Sequence, residues 1–360
     1  MSIEILGMIG HRLSSETIAP VGPVLDKDYI TRFAQAHEQA GFDRVLVGYW
    51  SDQPDGFLVT ALAGMATKKL GLLLAHRPGF IAPTLAARKM ATLDHLLDGR
   101  LAINVVSGGN DAEQRKDGDF SEHDQRYART DEYLDVLKQV WTAEQPFNHD
   151  GHFYQAEQAF SQIKCAQRPH IPVYFGGASP AALNVAAKHA DVYMLWGESL
   201  AQTREILGRV KALAAHRKRQ QSYSLSFRPI IADTEQAAWA KAEEILEQAR
   251  ERQNAGGSAL ANKPQSEGAK RLMETTKLGE RVDSCLWTGI AKLVGGGQNS
   301  TALVGTPEQV AEAIAEYYRL GVGHILMRGF DPLNDAAAYG EELIPLIRAK
   351  TQALSQQKAG

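Results

Sequence analysis

The chain has 360 residues, of which 44% are hydrophobic and 22% charged, and its net charge is −3. This apolar content suffices for a large core and excludes global disorder. The near-neutral charge gives no concentrated positive surface for a nucleic acid. No apolar run reaches the roughly 18 residues of a membrane span. With two cysteines far apart in sequence and no basic leader at the N-terminus, we expect a cytoplasmic protein that has no metal site and binds neither nucleic acid nor membrane.

Short runs rich in Val, Ile, Leu and aromatic residues recur along the chain, and segments with helical periodicity lie between them. Most runs are continuously apolar, which is typical of strands covered on both faces in a parallel sheet. The predicted strands lie at 3–10, 44–49, 70–77, 101–108, 172–179, 192–198, 224–233 and 323–330. The predicted helices lie at 28–40, 56–67, 83–97, 122–142, 180–190, 200–217, 234–252 and 306–319.

Two of these helices have well-defined ends. The first stops before Gly41, a natural residue just beyond a helix C-terminus. The last opens with Thr306, Pro307 and Gln309 in the arrangement of a capping box. Such signals support the helical assignment independently of the apolar periodicity.

A strand followed by a helix, eight times, predicts an α/β protein: a (β/α)8 TIM barrel with insertions. The alternative is an open doubly wound sheet, whose dinucleotide-binding form carries G-x-G-x-x-G after the first strand, whereas this chain has GMIGHR at 7–12. We expect one domain over 1–360 with insertions at 143–171 and 253–322. The longer insertion is predicted to act as a lid over the active site.

Active sites of such barrels lie at the C-terminal ends of the strands, so the strand assignment also predicts site residues. The positions nominated in this way are His11, 49–52, His76, Arg77, 107–110, 176–179, 196–198, Arg228, Arg328 and Phe330. They are rich in His, Arg and Trp and poor in carboxylates, which argues against a glycosidase and a carboxylate-held magnesium centre. Arginines at this end indicate an anionic ligand.

Individual candidates each have a structural alternative. The segment GGASPAA (176–182) is typical of an anion site at a helix N-terminus, or of an ordinary turn. For Arg228 and Arg328 we favour an anionic ligand over an internal ion pair, because a buried charge needs a partner. Trp196 is either core or a stacking wall, and the short polar side chains Asn104 and Ser107 suit the edge of a flat heterocycle.

Several motifs together resemble the bacterial luciferase-like, flavin-dependent monooxygenases, and within them the alkanesulfonate monooxygenase group. The motifs are RPGFIAPTLAARKMATLDHLLDGRLAINVVSGG (77–109), HDQRYARTDEY (123–133), YFGGASPAALNVAAKHADVYMLWGE (174–198), SEGAKRLM (266–273), LWTGIAKLVGGGQNSTALVGTPEQVAEAI (286–314) and YGEELIPL (339–346). The resemblance implies an enzyme that receives reduced FMN (FMNH2) from a separate NAD(P)H:FMN reductase. With O2 it would oxygenate an organosulfonate and release sulfite and an aldehyde.

The resemblance also assigns roles to residues. It implies that Asn104 and Ser107 lie along the isoalloxazine edge, and that the FMN phosphate is held by Tyr127, Gly177, Ala178 and Ser179. It implies catalytic roles for His11, Trp196 and Arg228, of which Arg228 matches the arginine on the sulfonate side, and a mobile loop at 253–300. To substrate binding we assign His76, Arg77, Arg328 and Phe330. Relatives of this kind also suggest a homo-oligomer.

Four positions depart from the best-known alkanesulfonate enzymes. Pro54 replaces a cysteine, Ile230 a histidine and Phe330 a tyrosine, and the lid arginine has no counterpart in LVGGGQNS. Flavin binding is not affected by these changes, but the identity of the sulfonate substrate stays open, with methanesulfonate and sulfoquinovose among the candidates. The alternatives are a relative that oxygenates a sulfone, an amine or an alkane, a deazaflavin-dependent hydride-transfer enzyme, and a non-catalytic flavin-binding barrel.

Overall fold

A computed structural model describes residues 2–256, 266–297 and 300–357. Its strands are β1 (Glu4–Ile9), β2 (Arg44–Val47), β3 (Gly71–His76), β4 (Leu101–Val105), β5 (Phe147–Asp150), β6 (Gln155–Ala159), β7 (Val173–Gly176), β8 (Val192–Trp196), β9 (Ser222–Ile231), β10 (Arg281–Val282), β11 (Leu286–Trp287), β12 (Ala302–Gly305) and β13 (His324–Met327).

The helices alternate with these strands around the outside of the sheet. They are α1 (Lys27–Gln39), α2 (Gly56–Met65), α3 (Pro83–Leu96), α4 (Asp111–Lys116), α5 (His123–Thr142), α6 (Pro180–His189), α7 (Leu200–His216), α8 (Glu235–Asn254), α9 (Glu267–Lys277), α10 (Gly289–Leu293), α11 (Pro307–Arg319), α12 (Pro332–Ala338) and α13 (Ile344–Gln357), with a π-helical turn at Tyr339–Leu343.

Eight parallel strands close into a barrel in the order β13-β1-β2-β3-β4-β7-β8-β9, and β9 pairs back onto β13. These eight strands are the eight apolar runs of the sequence, so the predicted (β/α)8 TIM barrel is confirmed. The strands are covered on both faces; β3 is buried along its whole length. We call the end at which the carboxyl ends of the barrel strands lie the mouth.

The barrel interior explains which side chains reach the mouth. A cluster inside it contains Leu6, Leu73, Ala102, Val192 and Leu326. Side chains on a strand alternate between the two faces, so positions two or four residues further on point the same way. By this alternation Asn104, Trp196 and Arg328 share the inward face with the cluster and stand at the mouth.

The predicted helix ends are present as well. Thr306 caps α11 in a reciprocal capping box with Gln309, with Pro307 in its first turn. Gly41 follows the end of α1 with φ +81°, a left-handed conformation that glycine adopts without a steric cost. Both signals were read correctly from the sequence.

The two insertions contain structure that the sequence did not reveal. The segment 143–171 forms an antiparallel hairpin of β5 and β6. The segment 253–322 contributes α9, β10, β11, α10 and β12 ahead of the predicted helix α11, and β12 pairs with the second half of β9. Of the proposed lid at 253–300, residues 257–265 and 298–299 lie outside the described residues.

The chain after β13 forms α12, the π-helical turn and α13, which the sequence analysis did not predict. The apolar residues of this region, among them Tyr339, Leu343 and Ile347, are buried in the core. Within the part of the chain that the structure describes, no helix combines the length and the apolar character that crossing a membrane requires.

Candidate active site

A cavity of about 390 Å³ opens beside the carboxyl ends of β1 and β13. Four of the nominated residues line it, namely His11, Trp50, Asp52 and Arg328. Its wall also contains charged residues that the strand-end rule did not nominate, namely Arg12 and Glu16 in the connection between β1 and α1, and Arg252 in the last turn of α8. The connections that follow β1, β2 and β13, together with the end of α8, therefore form one charged site.

His11 has an unsatisfied ring nitrogen. Its Nε2 atom is buried and has no hydrogen-bond partner among the described residues. Burial and the neighbouring positive charge of Arg12 lower the pKa of His11, while Asp52 opposes the shift. A neutral imidazole can either donate or accept a hydrogen bond at Nε2, which suits contact with a polar ligand.

Arg228 is fully buried and already has internal partners. Its guanidinium lies 2.7 Å from the carboxylate of Glu16 and donates to the carbonyl oxygens of Arg328 and Gly329. It also stacks on the ring of Phe330, 3.7 Å from the centroid, and Phe330 is itself 2% exposed. The ion pair that we held as the alternative for Arg228 is therefore present, and its role as a substrate ligand stays a prediction.

His76 and Arg77 are likewise engaged with the protein. His76 Nε2 shares a 2.7 Å hydrogen bond with the hydroxyl of Tyr133, and burial lowers the pKa of His76 to about 3. Arg77 forms a 2.7 Å ion pair with Glu113 and lies over the ring of Tyr49. The structure places neither of them on the cavity beside His11, and their role in substrate binding stays a prediction.

The predicted phosphate-binding residues come together at the opposite side of the barrel, around β7. Ser179 caps α6 and accepts a hydrogen bond from the amide of Ala182. Gly177 has φ +134°, and a Cβ there would lie 2.7 Å from the Ala182 side chain and 3.0 Å from the hydroxyl of Tyr127. Burial raises the pKa of Tyr127, while a hydrogen bond with Ser179 opposes the shift. We call Tyr127 and 177–179 the cradle.

The cradle fits a flavin phosphate in chemistry and in shape. The N–H of Ala181, which follows Pro180 in the first turn of α6, and the hydroxyls of Ser179 and Tyr127 supply donors at the positive end of a helix dipole. A side chain at position 177 would fill the space between Tyr127 and α6. The residues that would hold the rest of the flavin are Asn104, half-buried on the inward face, and Ser107, whose hydroxyl lies 2.9 Å from that of Thr130.

Helix α9 covers the mouth on the side of β8. A Cβ on Gly268 would lie 3.5 Å from the ring of Trp196, and one on Gly109 would lie 3.0 Å from Ser266. Trp196 is half-buried beneath this helix. The predicted stacking wall therefore has a roof made from the second insertion.

One arginine of α9 attaches this roof to the barrel. Arg271 forms a bidentate ion pair with Glu198, directly after β8, with nitrogen–oxygen distances of 2.6 and 2.8 Å, and a further pair with Glu205 at 2.9 Å. Burial and Glu205 raise the pKa of Glu198, whereas Arg271 lowers it. Because both ends of this contact are largely buried, it is geometrically fixed rather than a loose surface pair.

Metal-ligating side chains cluster at one place in the described part of the chain. Asp131, Asp135 and His189 lie close enough together to share an ion. However, the ammonium group of Lys188 lies 2.9 Å from Asp131 and 2.7 Å from Asp135. A protein cation thus already neutralises this cluster, which is far from the mouth on α5 and α6.

Four residues of the site were not predicted from the sequence, namely Arg12, Glu16, Arg252 and Arg271. The first two lie just beyond the strand-end window, and the other two belong to α8 and α9 rather than to a strand end. A broader rule, that arginines within a predicted lid or next to it are candidates, would have found Arg252 and Arg271.

The chain is a (β/α)8 barrel with the cradle on one side and a charged cavity on the other. Residues 3–324 match the model of the luciferase-like monooxygenase family, and the chain belongs to that family. The specific likeness to its alkanesulfonate group is not established by this match.

Solved structures with the same fold are functionally varied. Riboflavin lyase RcaE, determined with modified FMN and riboflavin, superposes with a TM-score of 0.80 at 19% identity, covering 97% of this chain and 92% of that one. Long-chain alkane monooxygenase LadA gives 0.77 at 18% identity over 97% and 92%. The coenzyme F420-dependent tetrahydromethanopterin reductase from Methanopyrus kandleri gives 0.73 at 17% identity over 96% and 99%.

Proposed function

We propose that the protein is the oxygenase component of a two-component system, which takes FMNH2 from a separate NAD(P)H:FMN reductase and uses O2 to cleave an organosulfonate to sulfite and an aldehyde. Family membership supports monooxygenase chemistry. The observation that carries the substrate class is the cavity lined by His11 and Arg328 beside β1 and β13, while the cradle follows β7 on the opposite side of the barrel.

The cradle would hold the phosphate of the flavin. The N–H of Ala181 and the hydroxyls of Ser179 and Tyr127 would donate hydrogen bonds to its oxygens, and Gly177 leaves the space for them. Asn104 and Ser107 would contact the polar edge of the ring system. When bound, the reduced flavin supplies the electrons and the oxygen chemistry, and the protein supplies position and shielding.

The remaining site residues would bind substrate and exclude water. Arg328 presents a guanidinium at the cavity, where it can pair with a sulfonate through two parallel hydrogen bonds. His11, neutral at physiological pH because its pKa is lowered, can hydrogen-bond the substrate through the free Nε2. Trp196 and the α9 roof limit the access of water to the reacting centre.

The test is release of sulfite from a panel of sulfonates, including methanesulfonate and sulfoquinovose, in the presence of FMN, NAD(P)H and an NAD(P)H:FMN reductase. We expect sulfite in stoichiometric amounts with an aldehyde, dependent on O2 and on the reductase. Oxygenation of a sulfone, an amine or an alkane in place of every sulfonate would contradict the substrate class.

A hydride-transfer enzyme of the same fold is the second candidate, because the Methanopyrus reductase shares the architecture over nearly both whole chains. Binding assays separate the two. Tight binding of oxidised deazaflavin together with weak binding of FMNH2 would favour this candidate, and the reverse preference would favour the monooxygenase.

A further inference from the structure

The cavity beside His11 contains more positive than negative charge. Three arginines line it, Arg12, Arg252 and Arg328, against two acidic residues, Glu16 and Asp52. The imidazole of His11 adds no charge at physiological pH, because its pKa is lowered. The excess of positive charge becomes larger when the cations that already pair with Glu16 and Asp52 are counted.

Both carboxylates are engaged by other residues. Glu16 lies 2.7 Å from the buried guanidinium of Arg228 and 3.8 Å from that of Arg328. Asp52 lies 3.5 Å from the ammonium group of Lys116 and accepts a hydrogen bond from Gln53. Glu16 therefore compensates Arg228 first, and Asp52 is shared with Lys116 in an exposed pair.

The arginines of the cavity wall have little compensation within the described part of the chain. Within residues 2–256, 266–297 and 300–357, Arg12 and Arg252 form no ion pair, and Arg328 has only its longer contact with the shared carboxylate of Glu16. Three like charges around one partly closed cavity repel one another, and a ligand with a single negative charge would leave two of them unpaired.

We propose that this cavity binds a small organic dianion, a sulfonate that carries a second sulfonate or carboxylate group, with its two acidic groups held by different arginines of the wall. This inference rests on the proposed function and makes it more specific. Arg328 holds one acidic group next to His11, while Arg12 or Arg252 holds the other. Arg228 is a positioning residue for the mouth and not a ligand of the anion.

The position of Arg228 supports this division. Its hydrogen bonds to the carbonyl oxygens of Arg328 and Gly329 fix the start of the connection after β13, and its pair with Glu16 fixes the connection after β1. The two connections that carry Arg12 and Arg328 are thus joined through one buried group. Glu16 occupies the guanidinium face that a substrate anion would otherwise use.

The experiment measures equilibrium binding of four probes to the flavin-free protein by isothermal titration calorimetry at fixed ionic strength. The dianions are ethane-1,2-disulfonate, sulfoacetate and succinate, and ethanesulfonate is the monoanion. We expect the sulfonate dianions to bind about tenfold or more tightly than ethanesulfonate, which corresponds to about 1.4 kcal/mol. Succinate distinguishes a general dianion site from one that requires a sulfonate.

Arg252→Gln is the informative variant, with Arg250→Gln as its matched control. Arg250 lies on the same helix, is exposed, pairs with Glu247 at 3.5 Å and does not line the cavity. We expect Arg252→Gln or Arg12→Gln to abolish most of the preference for dianions while changing the affinity for ethanesulfonate less than twofold. Arg250→Gln should leave both unchanged. Equal affinities for ethanesulfonate and ethane-1,2-disulfonate in the unmodified protein would overturn the inference.

Sulfite release distinguishes a failure of this inference from a failure of the proposed function. If monosulfonates yield sulfite and the dianions neither bind more tightly nor react faster, the sulfonate monooxygenase stands and the dianion proposal is wrong. If the dianions bind with the expected preference but no sulfonate yields sulfite, the anion site stands and the proposed reaction is wrong.

Discussion

The carboxylate of Glu16 and the guanidinium of Arg228 lie 2.7 Å apart at the mouth, with 10% and 0% of their side chains exposed. Burial by itself would raise the pKa of Glu16, but the positive charges of Arg228 and Arg328 outweigh it and lower the pKa to about 2. A buried pair of this kind is costly to form and more costly to break, because the remaining charge is left without a partner.

Replacement of Glu16 should therefore destabilise the protein. We expect Glu16→Gln to lower the free energy of unfolding by about 3 kcal/mol at pH 7, measured by urea denaturation. Glu342→Gln, at an exposed position of the π-helical turn, is the control and should change the free energy of unfolding by less than about 0.5 kcal/mol. An equally small effect for both variants would show that the Glu16–Arg228 pair contributes nothing to the stability of the fold.

The same pair predicts a pH dependence with a defined sign. The folded-state pKa of Glu16 is about 2, below its ordinary value of 4.5, so the stabilisation is complete above pH 4.5 and is lost as the pH falls towards 2. The difference in unfolding free energy between the unmodified protein and Glu16→Gln should be constant from pH 7 to pH 5 and narrow below pH 4.5. A difference that stays the same down to pH 3 would contradict the assignment.

The cradle can be tested by filling its glycine. Gly177→Ala puts a Cβ 2.7 Å from Ala182 at a backbone φ of +134°, so the loop must shift away from α6. We expect the affinity for FMN to fall about tenfold or more, as measured by quenching of flavin fluorescence. Gly208→Ala in α7, where no heavy atom lies within 4 Å, should leave FMN binding unchanged. An affinity for FMN within twofold of this control would argue against the cradle.

The sequence predicted the barrel because its signals are local. The eight apolar runs, Gly41 after α1 and the Thr306 capping box each depend on residues a few positions apart. The β5–β6 hairpin was missed since its strands are only partly buried and carry polar residues such as Asn148 and Glu157, which give no strong strand pattern.

The composition of the site was harder to predict than its location. Rules based on strand ends found His11, Arg228 and Arg328, but not that Glu16 would neutralise Arg228. That contact joins positions 212 residues apart in sequence, and nothing local to either residue indicates the other. Arg252 and Arg271 were missed for the same reason, since their approach to the mouth depends on how α8 and α9 pack.

The attachment of α9 through Arg271 should control how often that helix detaches from the barrel and exchanges its amide hydrogens. Removing the bidentate pair with Glu198 leaves a carboxylate that is 3% exposed without its partner. We expect Arg271→Met to lower the local stability of α9 by about 3 kcal/mol, and so to accelerate its amide exchange about a hundredfold. Arg271→Lys should restore only part of the protection, because lysine cannot form the planar fork.

The measurement is hydrogen exchange followed by mass spectrometry on peptides covering 266–277. Arg209→Gln is the matched control, because Arg209 contacts the same Glu205 but from the exposed face of α7, at 3.3 Å. It should not change exchange in α9. If Arg271→Met also leaves exchange in α9 unchanged, the roof is held by packing and not by this ion pair.

The exposed face of α2 indicates where a homo-oligomer would form. Leu58 and Met65 are each 73% exposed and lie seven residues apart, and Ala61 and Leu62 between them are only partly buried. This spacing places all four on one helical face. An apolar stripe of this kind on a helix that is otherwise packed against the barrel is typical of a surface covered by another copy of the chain. We propose that the protein is a homo-oligomer with this face at its interface, and we expect Leu58→Glu combined with Met65→Glu to make it a monomer in analytical ultracentrifugation, with the fold retained by circular dichroism. Leu278→Glu, at a position 62% exposed beyond α9, should leave the oligomer intact. A sedimentation coefficient unaffected by the α2 substitutions would place the contact on another face of the barrel.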